Sequence, residues 1–267
     1  MASEKVRTLY IDHQIIAKET NWPQLLTVLA QHKSLRLVVS IYNLIEISAA
    51  TDKAKAIKRA EFIDSLHPAW ILERFMVEKN EVQNFVYQYY LKKPYTPPSV
   101  FADHLSTALS YHLRSRVILG MNARKWLDHF VNPEELKPLK QRTVESLITV
   151  QTASARQKKA IEGDLFREWI IQKIPLSDPD GKLFTKEEIA RIGEYCWSAR
   201  SKFYHSCRAM FAEHCLCQVR TSDPKRPPKE SDMLDLQHLT LGLSYCDFLV
   251  TSDGYAYQCG TAASLGV

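Results

Sequence analysis

Apolar runs near both ends of the chain predict a sheet built mainly from parallel strands. Residues 6–11 and 35–39 are short apolar runs, and the helical periodicity of residues 22–32 lies between them. Near the other end, a helical pattern over residues 232–245 leads directly into a short apolar run at 248–250. Strands that alternate with helices in this way are typical of an α/β fold with a mainly parallel sheet.

The middle of the chain reads as a large helical insertion. Proline-rich segments at 92–99 and 223–229 interrupt the pattern on either side of it. We therefore divide the chain into an α/β domain made of residues 1–93 and 231–267 and a helical insertion of residues 94–230. The other predicted elements are a helix from Ile41, a helix at 52–66, a strand at 69–72 with 75–77, a helix at 78–91, and insertion helices at 101–117, 123–131, 133–159, 163–173 and 185–218.

The net charge of +5 is concentrated in this insertion. Residues 95–230 carry 22 basic and 16 acidic side chains, so the rest of the chain is close to neutral. A polyanionic partner would be drawn to such a segment, and we assign Lys158 and Lys159 as residues that bind its backbone. The alternative for any single cluster is an ordinary solvated helix face.

Two further features limit the class of protein. No run of roughly 18 apolar residues predicts a membrane span, and the N-terminus lacks the apolar core of a signal peptide, so we expect a cytoplasmic protein with no membrane partner. The six cysteines are then expected to be free thiols. A zinc site made by Cys207, His214, Cys215 and Cys217 is the alternative, but no paired C-x-x-C spacing supports it.

Four acids are predicted to meet at one edge of the sheet. Asp12 and Asp253 each follow a predicted strand, while Glu46 and Asp235 lie in the first turns of predicted helices. Each therefore falls at the carboxyl end of a strand, where open α/β sheets bind ligands. Clustered carboxylates repel one another unless a cation lies between them, and an all-oxygen site suits Mg²⁺ or Mn²⁺. Asp247 opens the last predicted strand and is expected at the opposite edge.

The residues around these acids resemble the PIN-domain nucleases. The resemblance rests on S-I-Y-N-L-I-E at residues 40–46 and on D-L-Q-H-L-T-L-G-L-S-Y-C-D-F-L-V-T-S-D at residues 235–253, behind Asp12. It implies a three-layer PIN-like fold, with Asp12, Glu46, Asp235 and Asp253 as catalytic metal ligands. It also implies in-line hydrolysis of a phosphodiester, so we expect a nuclease that acts on nucleic acid, most often RNA.

Several assignments stay open at this stage. Asp232 competes with Asp235 as a ligand, because an Asp-x-x-Asp at the start of a helix can also be a cap and its partner. Asn43 shares a helix face with Glu46, and we assign Asn43 and Ser40 to substrate binding. His238 and His13 are interpreted as packed or hydrogen-bonded side chains rather than catalytic groups.

The function itself has two rivals. One is a catalytically silent nucleic-acid-binding or regulatory protein on a PIN-like scaffold, and the other is a toxin-type nuclease controlled by an inhibitory protein partner. A homodimer is compatible with each of these functions. The sequence is compatible with RNA or DNA as the substrate and with internal or terminal cleavage.

Overall fold

The protein is described here by a computed structural model of the 267-residue chain. The residues it describes are 6–50, 52–110, 120–129, 137–152, 155–222, 225–229, 231–252, 254, 257–258 and 261.

A five-stranded sheet forms the centre of the α/β part. The strands are β1 (Arg7–Ile11), β2 (Leu35–Ser40), β3 (Ala69–Ile71), β4 (Phe101–Ala102) and β5 (Phe248–Val250), and they lie side by side in the order β4-β3-β2-β1-β5. β1 pairs parallel with β2 and β5, β2 pairs parallel with β3, and β4 closes one edge antiparallel. The predicted α/β class with a mainly parallel sheet is confirmed, and the arrangement is compatible with a three-layer α/β fold.

The α-helices account for most of the described chain. Several begin at capping residues such as Asp52, whose side chain accepts hydrogen bonds from the backbone N–H groups of Ala54 and Lys55. In chain order they are α1 (His13–Ala17), α2 (Trp22–Gln31), α3 (Ile41–Ser48), α4 (Lys53–Ser65), α5 (Arg74–Phe85), α6 (Leu105–Ser110), α7 (Ala123–His129), α8 (Lys137–Thr152), α9 (Ala155–Ile171), α10 (Lys186–Ser198), α11 (Arg200–Ser206), α12 (Arg208–Ser222) and α13 (Asp232–Tyr245). The described residues also form a 3₁₀ turn at Glu19–Asn21 and a π-helical turn at Val86–Tyr90.

Two local predictions around the third strand were wrong. Residues 75–77 belong to α5 and not to a strand, because the side chain of Glu73 accepts a hydrogen bond from the backbone N–H of Met76 and starts the helix there. The predicted helix over 101–117 does not begin at Phe101, since Phe101 and Ala102 pair with β3. A segment assigned to the insertion therefore supplies the edge strand of the sheet.

The buried side chains form one large core around the sheet and smaller cores among the helices. Tyr10, Val38 and Leu44 lie in the core that covers the sheet. A second cluster is built on Phe85, Phe166 and Phe203, from α5, α9 and α11, with rings in tilted or edge contact. None of the helices in the described ranges is both long enough and apolar enough to cross a membrane.

Candidate metal centre

Asp12 is fixed at the carboxyl edge of the sheet, where β1 ends and α1 begins. Its backbone N–H donates to the carbonyl of Val250, the last residue of β5, at 2.9 Å. Its side chain caps α1 by accepting a hydrogen bond from the N–H of Gln14 at 3.3 Å, and Thr251 Oγ1 donates to the second carboxylate oxygen at 2.7 Å. The carboxylate is therefore buried and held in one orientation.

Glu46 reaches the same edge from α3. This helix starts directly after β2, so its second turn stands above the end of the neighbouring strand. Asn43 ties the two elements together: its Oδ1 accepts from the N–H of Ser40 at 2.8 Å, and its Nδ2 donates to the carbonyl of Ile11 at 3.0 Å. The second acid of the site is thereby placed relative to the end of β1.

Two histidines join these acids. His13 Nδ1 lies 2.9 Å from Asp12 Oδ1 and 2.6 Å from Glu46 Oε2, and His238 Nε2, from α13, lies 2.5 Å from the same Glu46 oxygen. One potential ligand atom from each of the four residues lies within 4.8 Å of all the others. The donor set of two carboxylates and two imidazoles suits a divalent cation in its chemistry.

The electrostatics of the group favour charged forms. Burial by itself would raise the pKa of Asp12, but the hydrogen bond from His13 and the nearby charge of His238 lower it to about 2. Burial likewise opposes ionisation of Glu46, and the charge of His238 with the hydrogen bond from His13 brings its pKa below the ordinary value. The two acids raise the pKa of His13 to about 10 in spite of its burial. Positive charge is therefore stabilised between these carboxylates.

The structure brings together two of the four predicted ligands. Asp12 and Glu46 belong to the group, whereas Asp235, in the first turn of α13, does not. Asp253 lies outside the described residues. Asp232 is buried in an ion pair with Arg220 and accepts the N–H of Lys229 at 2.6 Å, so its carboxylate serves the start of α13.

His13 and His238, which we interpreted as packed or hydrogen-bonded side chains, are the two residues that sequence reasoning missed. A signal was present, because His13 follows Asp12 directly and His238 lies one helical turn after Asp235. One imidazole is therefore adjacent in sequence to a predicted ligand, and the other lies one helical turn from one. Both members of the first pair join the group, whereas the packing of α13 brings in His238 and not Asp235.

The predicted substrate-binding residues have mixed outcomes. Ser40 and Asn43 are fully buried and bonded to protein groups, so in this structure they position the acids and offer no surface to a substrate. Lys158 and Lys159 fall in α9, but their side chains lie outside the described set.

The zinc alternative gains no support from the side chains that the structure describes. Among them, the metal-binding group found is the one at Asp12, and it contains no cysteine. Burial raises the pKa of Cys207 well above its ordinary range and that of Cys217 to about 12, so neither is a ready thiolate.

Comparison with known proteins gives no relative for this chain. No family model, curated protein or solved structure matches it.

Proposed function

We propose that the protein is a metal-dependent nuclease that hydrolyses phosphodiester bonds, with RNA as its expected substrate. The observation that carries this proposal is the convergence of Asp12 and Glu46 at the carboxyl edge of a parallel sheet, with ligand atoms within 4.8 Å of those of His13 and His238. Ligands bind at this edge in open α/β sheets. The acids also occupy the two positions at which the PIN-like resemblance expects its first two ligands.

The residues at the site have separate tasks in this proposal. Asp12 and Glu46 supply carboxylate oxygens, and Thr251 and the N–H of Gln14 keep Asp12 from turning away. A divalent cation such as Mg²⁺ or Mn²⁺, when bound, would stabilise the charge that develops on a phosphodiester as water attacks it. Asp235 and Asp253 remain candidate ligands that could join on binding, and the basic insertion is the candidate surface for the nucleic-acid backbone.

A second candidate function is favoured by one specific observation. His13 already lies between the two carboxylates, at 2.9 Å from Asp12 and 2.6 Å from Glu46, and can neutralise them without a metal ion. A protein whose two carboxylates are neutralised by His13 would bind nucleic acid or regulate a partner without cleaving a phosphodiester bond. Control by an inhibitory partner and homodimer formation are compatible with either function.

Cleavage assays with matched variants separate these two functions. Labelled single-stranded RNA and DNA are incubated with the purified protein in Mn²⁺, in Mg²⁺ and in EDTA. We expect cleavage with metal and none with EDTA, and we expect Asp12→Asn and Glu46→Gln to lose about 100-fold or more. Asp247→Asn removes an acid at the opposite edge and is the control, with cleavage close to wild type. Metal-independent binding without cleavage of either substrate would support the silent scaffold.

A further inference from the structure

A chain of buried hydrogen bonds leads from the backbone of β1 to the candidate metal centre. It runs from Asn43 through Ser40 and Tyr10 to His238, and each of these side chains is buried. The links are Ser40 Oγ to Asn43 Oδ1 at 3.2 Å, Tyr10 Oη to Ser40 Oγ at 2.7 Å, and Tyr10 Oη to His238 Nδ1 at 2.6 Å. Because each link joins two buried side chains directly, the positions of the hydrogens follow from counting donors and acceptors.

The orientation of Asn43 is determined by two backbone groups. The carbonyl of Ile11 can only accept, so the atom facing it at 3.0 Å is the amide nitrogen. The N–H of Ser40 can only donate, so the atom facing it at 2.8 Å is the amide oxygen. The oxygen that Ser40 Oγ meets is therefore an acceptor, and the hydroxyl of Ser40 donates its single hydrogen to it.

The same count of donors and acceptors applies to the next hydrogen bonds, which lead to His238. Since Ser40 has used its hydrogen on Asn43, the hydroxyl of Tyr10 is the donor in the Tyr10–Ser40 bond. Tyr10 then has no hydrogen left for His238, so Nδ1 of His238 carries a hydrogen and donates it to the Tyr10 oxygen. A histidine that ligates a metal through one nitrogen donates the other N–H to a fixed acceptor in the same way.

We infer that His238 is a metal ligand through Nε2, and that the site takes a first-row transition ion of the Mn²⁺ to Zn²⁺ series in preference to Mg²⁺. Nε2 is the ring nitrogen that points into the group of four, 2.5 Å from the Glu46 carboxylate, and a bound ion would take the place of the hydrogen in that contact. Imidazole nitrogen is a ligand for transition ions, whereas Mg²⁺ requires oxygen ligands and retains its waters. This inference rests on the proposed metal site and names its metal and an additional ligand.

Tyr10, Ser40 and Asn43 become positioning residues in this account. They do not touch the ion, but they determine which nitrogen of His238 is available and hold the ring in place. Tyr42 provides a matched comparison. It is a buried tyrosine whose ring centroid lies 6.0 Å from that of His238, yet its hydroxyl donates to Glu73 at 2.9 Å and has no bond to the histidine.

The first test observes the two ring nitrogens of His238 by spectroscopy. With ¹⁵N-labelled protein and Zn²⁺, we expect His238 to show a protonated Nδ1 and an Nε2 shifted by coordination to the metal. With Mn²⁺, pulsed EPR should show ¹⁴N coupling that is smaller in His238→Gln, where His13 is the remaining imidazole of the group. Zn²⁺ bound through Nδ1, or Mn²⁺ bound tightly without nitrogen coupling, would overturn the inference.

The second test measures metal affinity by titration calorimetry. Tyr10→Phe should weaken Mn²⁺ and Zn²⁺ binding by about 10- to 100-fold, while Tyr42→Phe should leave both within about 2-fold of wild type. Mg²⁺ should bind the wild type at least about 10-fold more weakly than Mn²⁺ does. Equal loss in both tyrosine variants would indicate a general packing effect and would contradict the positioning role.

The outcomes distinguish this inference from the nuclease proposal. If Zn²⁺ coordinates Nε2 of His238 but neither RNA nor DNA is cleaved, the metal assignment stands and the proposed function fails. If His238→Gln retains both cleavage and wild-type metal affinity, the function stands and the role of His238 is wrong.

Discussion

Thr8 and Asp247 exchange three hydrogen bonds where β1 and β5 begin. Asp247 Oδ2 accepts from the Thr8 N–H at 2.7 Å and from its hydroxyl at 2.9 Å, and the Asp247 N–H donates to Thr8 Oγ1 at 3.0 Å. This confirms the prediction that Asp247 lies at the edge opposite Asp12.

The stability contribution of that pair can be measured directly. Asp247→Ala should lower the free energy of unfolding by about 1 kcal/mol, because the Thr8 N–H loses its acceptor at an exposed edge. Cleavage per folded molecule should be unchanged, since the residue lies away from the metal centre. Urea denaturation with an activity assay normalised to the folded fraction provides the measurement, and a loss of cleavage would show that the two edges are coupled.

Metal binding should stabilise the fold. At a free Mn²⁺ concentration of 100 times Kd, an ion that binds only the folded state adds about 2.7 kcal/mol to the free energy of unfolding. We expect a corresponding rise in Tm for the wild type and none for the double variant Asp12→Asn with Glu46→Gln. A rise of the same size in the double variant would place the ion at another site.

The buried carboxyl group of Glu81 should make the stability of the protein depend on pH. Its carboxylate accepts from Tyr245 Oη at 2.5 Å and from the N–H of Ala209 at 2.9 Å, linking α5 with α12 and α13. Burial raises its pKa to about 7, although these hydrogen bonds oppose the shift. The folded state therefore binds this proton more tightly than the unfolded chain does. The stabilisation that comes from protonated Glu81 is complete below pH ~4.5 and is lost as the pH rises through ~7.

The matched comparison for this effect is Glu81→Gln, which does not titrate. The difference in unfolding free energy between wild type and variant should change by up to about 3 kcal/mol across that range, with the wild type losing stability toward higher pH. Chemical denaturation at several pH values measures it. A difference that is constant with pH would show that folding leaves the pKa of Glu81 unchanged.

Gly242 lies where α13 packs closely against the sheet residues Tyr10 and Leu249. A Cβ at this position would come 2.6 Å from Leu249 Cδ1 and 3.3 Å from Tyr10 Cδ1. Gly242→Ala should therefore destabilise the protein by about 1 to 3 kcal/mol through overpacking, and it should also weaken metal binding by shifting α13 and His238.

Gly193 is the control for this substitution, because it is also helical and a Cβ there would make an ordinary contact of 3.7 Å with Ile171. Gly193→Ala should stabilise the protein by up to about 1 kcal/mol through helix propensity. Thermal unfolding of both variants tests the pair, and stabilisation by Gly242→Ala would contradict the close packing.

Lys173 holds a buried charge network together. Its Nζ lies 3.2 Å from Glu78 Oε2 and 4.4 Å from the centroid of the Trp169 ring, and Glu78 also pairs with Arg74 at 3.1 Å. Lys173→Met should lower the free energy of unfolding by about 3 kcal/mol, because it leaves a buried carboxylate with one cation fewer.

Lys202 provides the control, because it is an exposed lysine over the ring of Tyr89. Lys202→Met should lower the free energy of unfolding by less than about 1 kcal/mol. Equal losses of unfolding free energy for the two lysine variants would show that burial does not increase the contribution of Lys173.

The sequence by itself determined the elements that have strong local signals. β1, β2 and β5 follow from short apolar runs, and α13 follows from its helical pattern between an acidic start and Tyr245. Asp12 and Glu46 could be placed at one edge because parallel strands end at the same side of a sheet. These inferences use only neighbours along the chain and the general rules of parallel sheets.

The tertiary structure alone decided the pairings between distant residues. β4 has two residues and no periodicity, and it is a strand because its backbone groups complete the edge of β3. His238 enters the metal centre because α13 packs through Gly242 against Tyr10, which turns the imidazole toward Glu46 rather than bringing Asp235 there. The choice between two polar residues one turn apart depends on the rotation of a helix against its neighbours, and that rotation is set by contacts more than 200 residues apart in the chain.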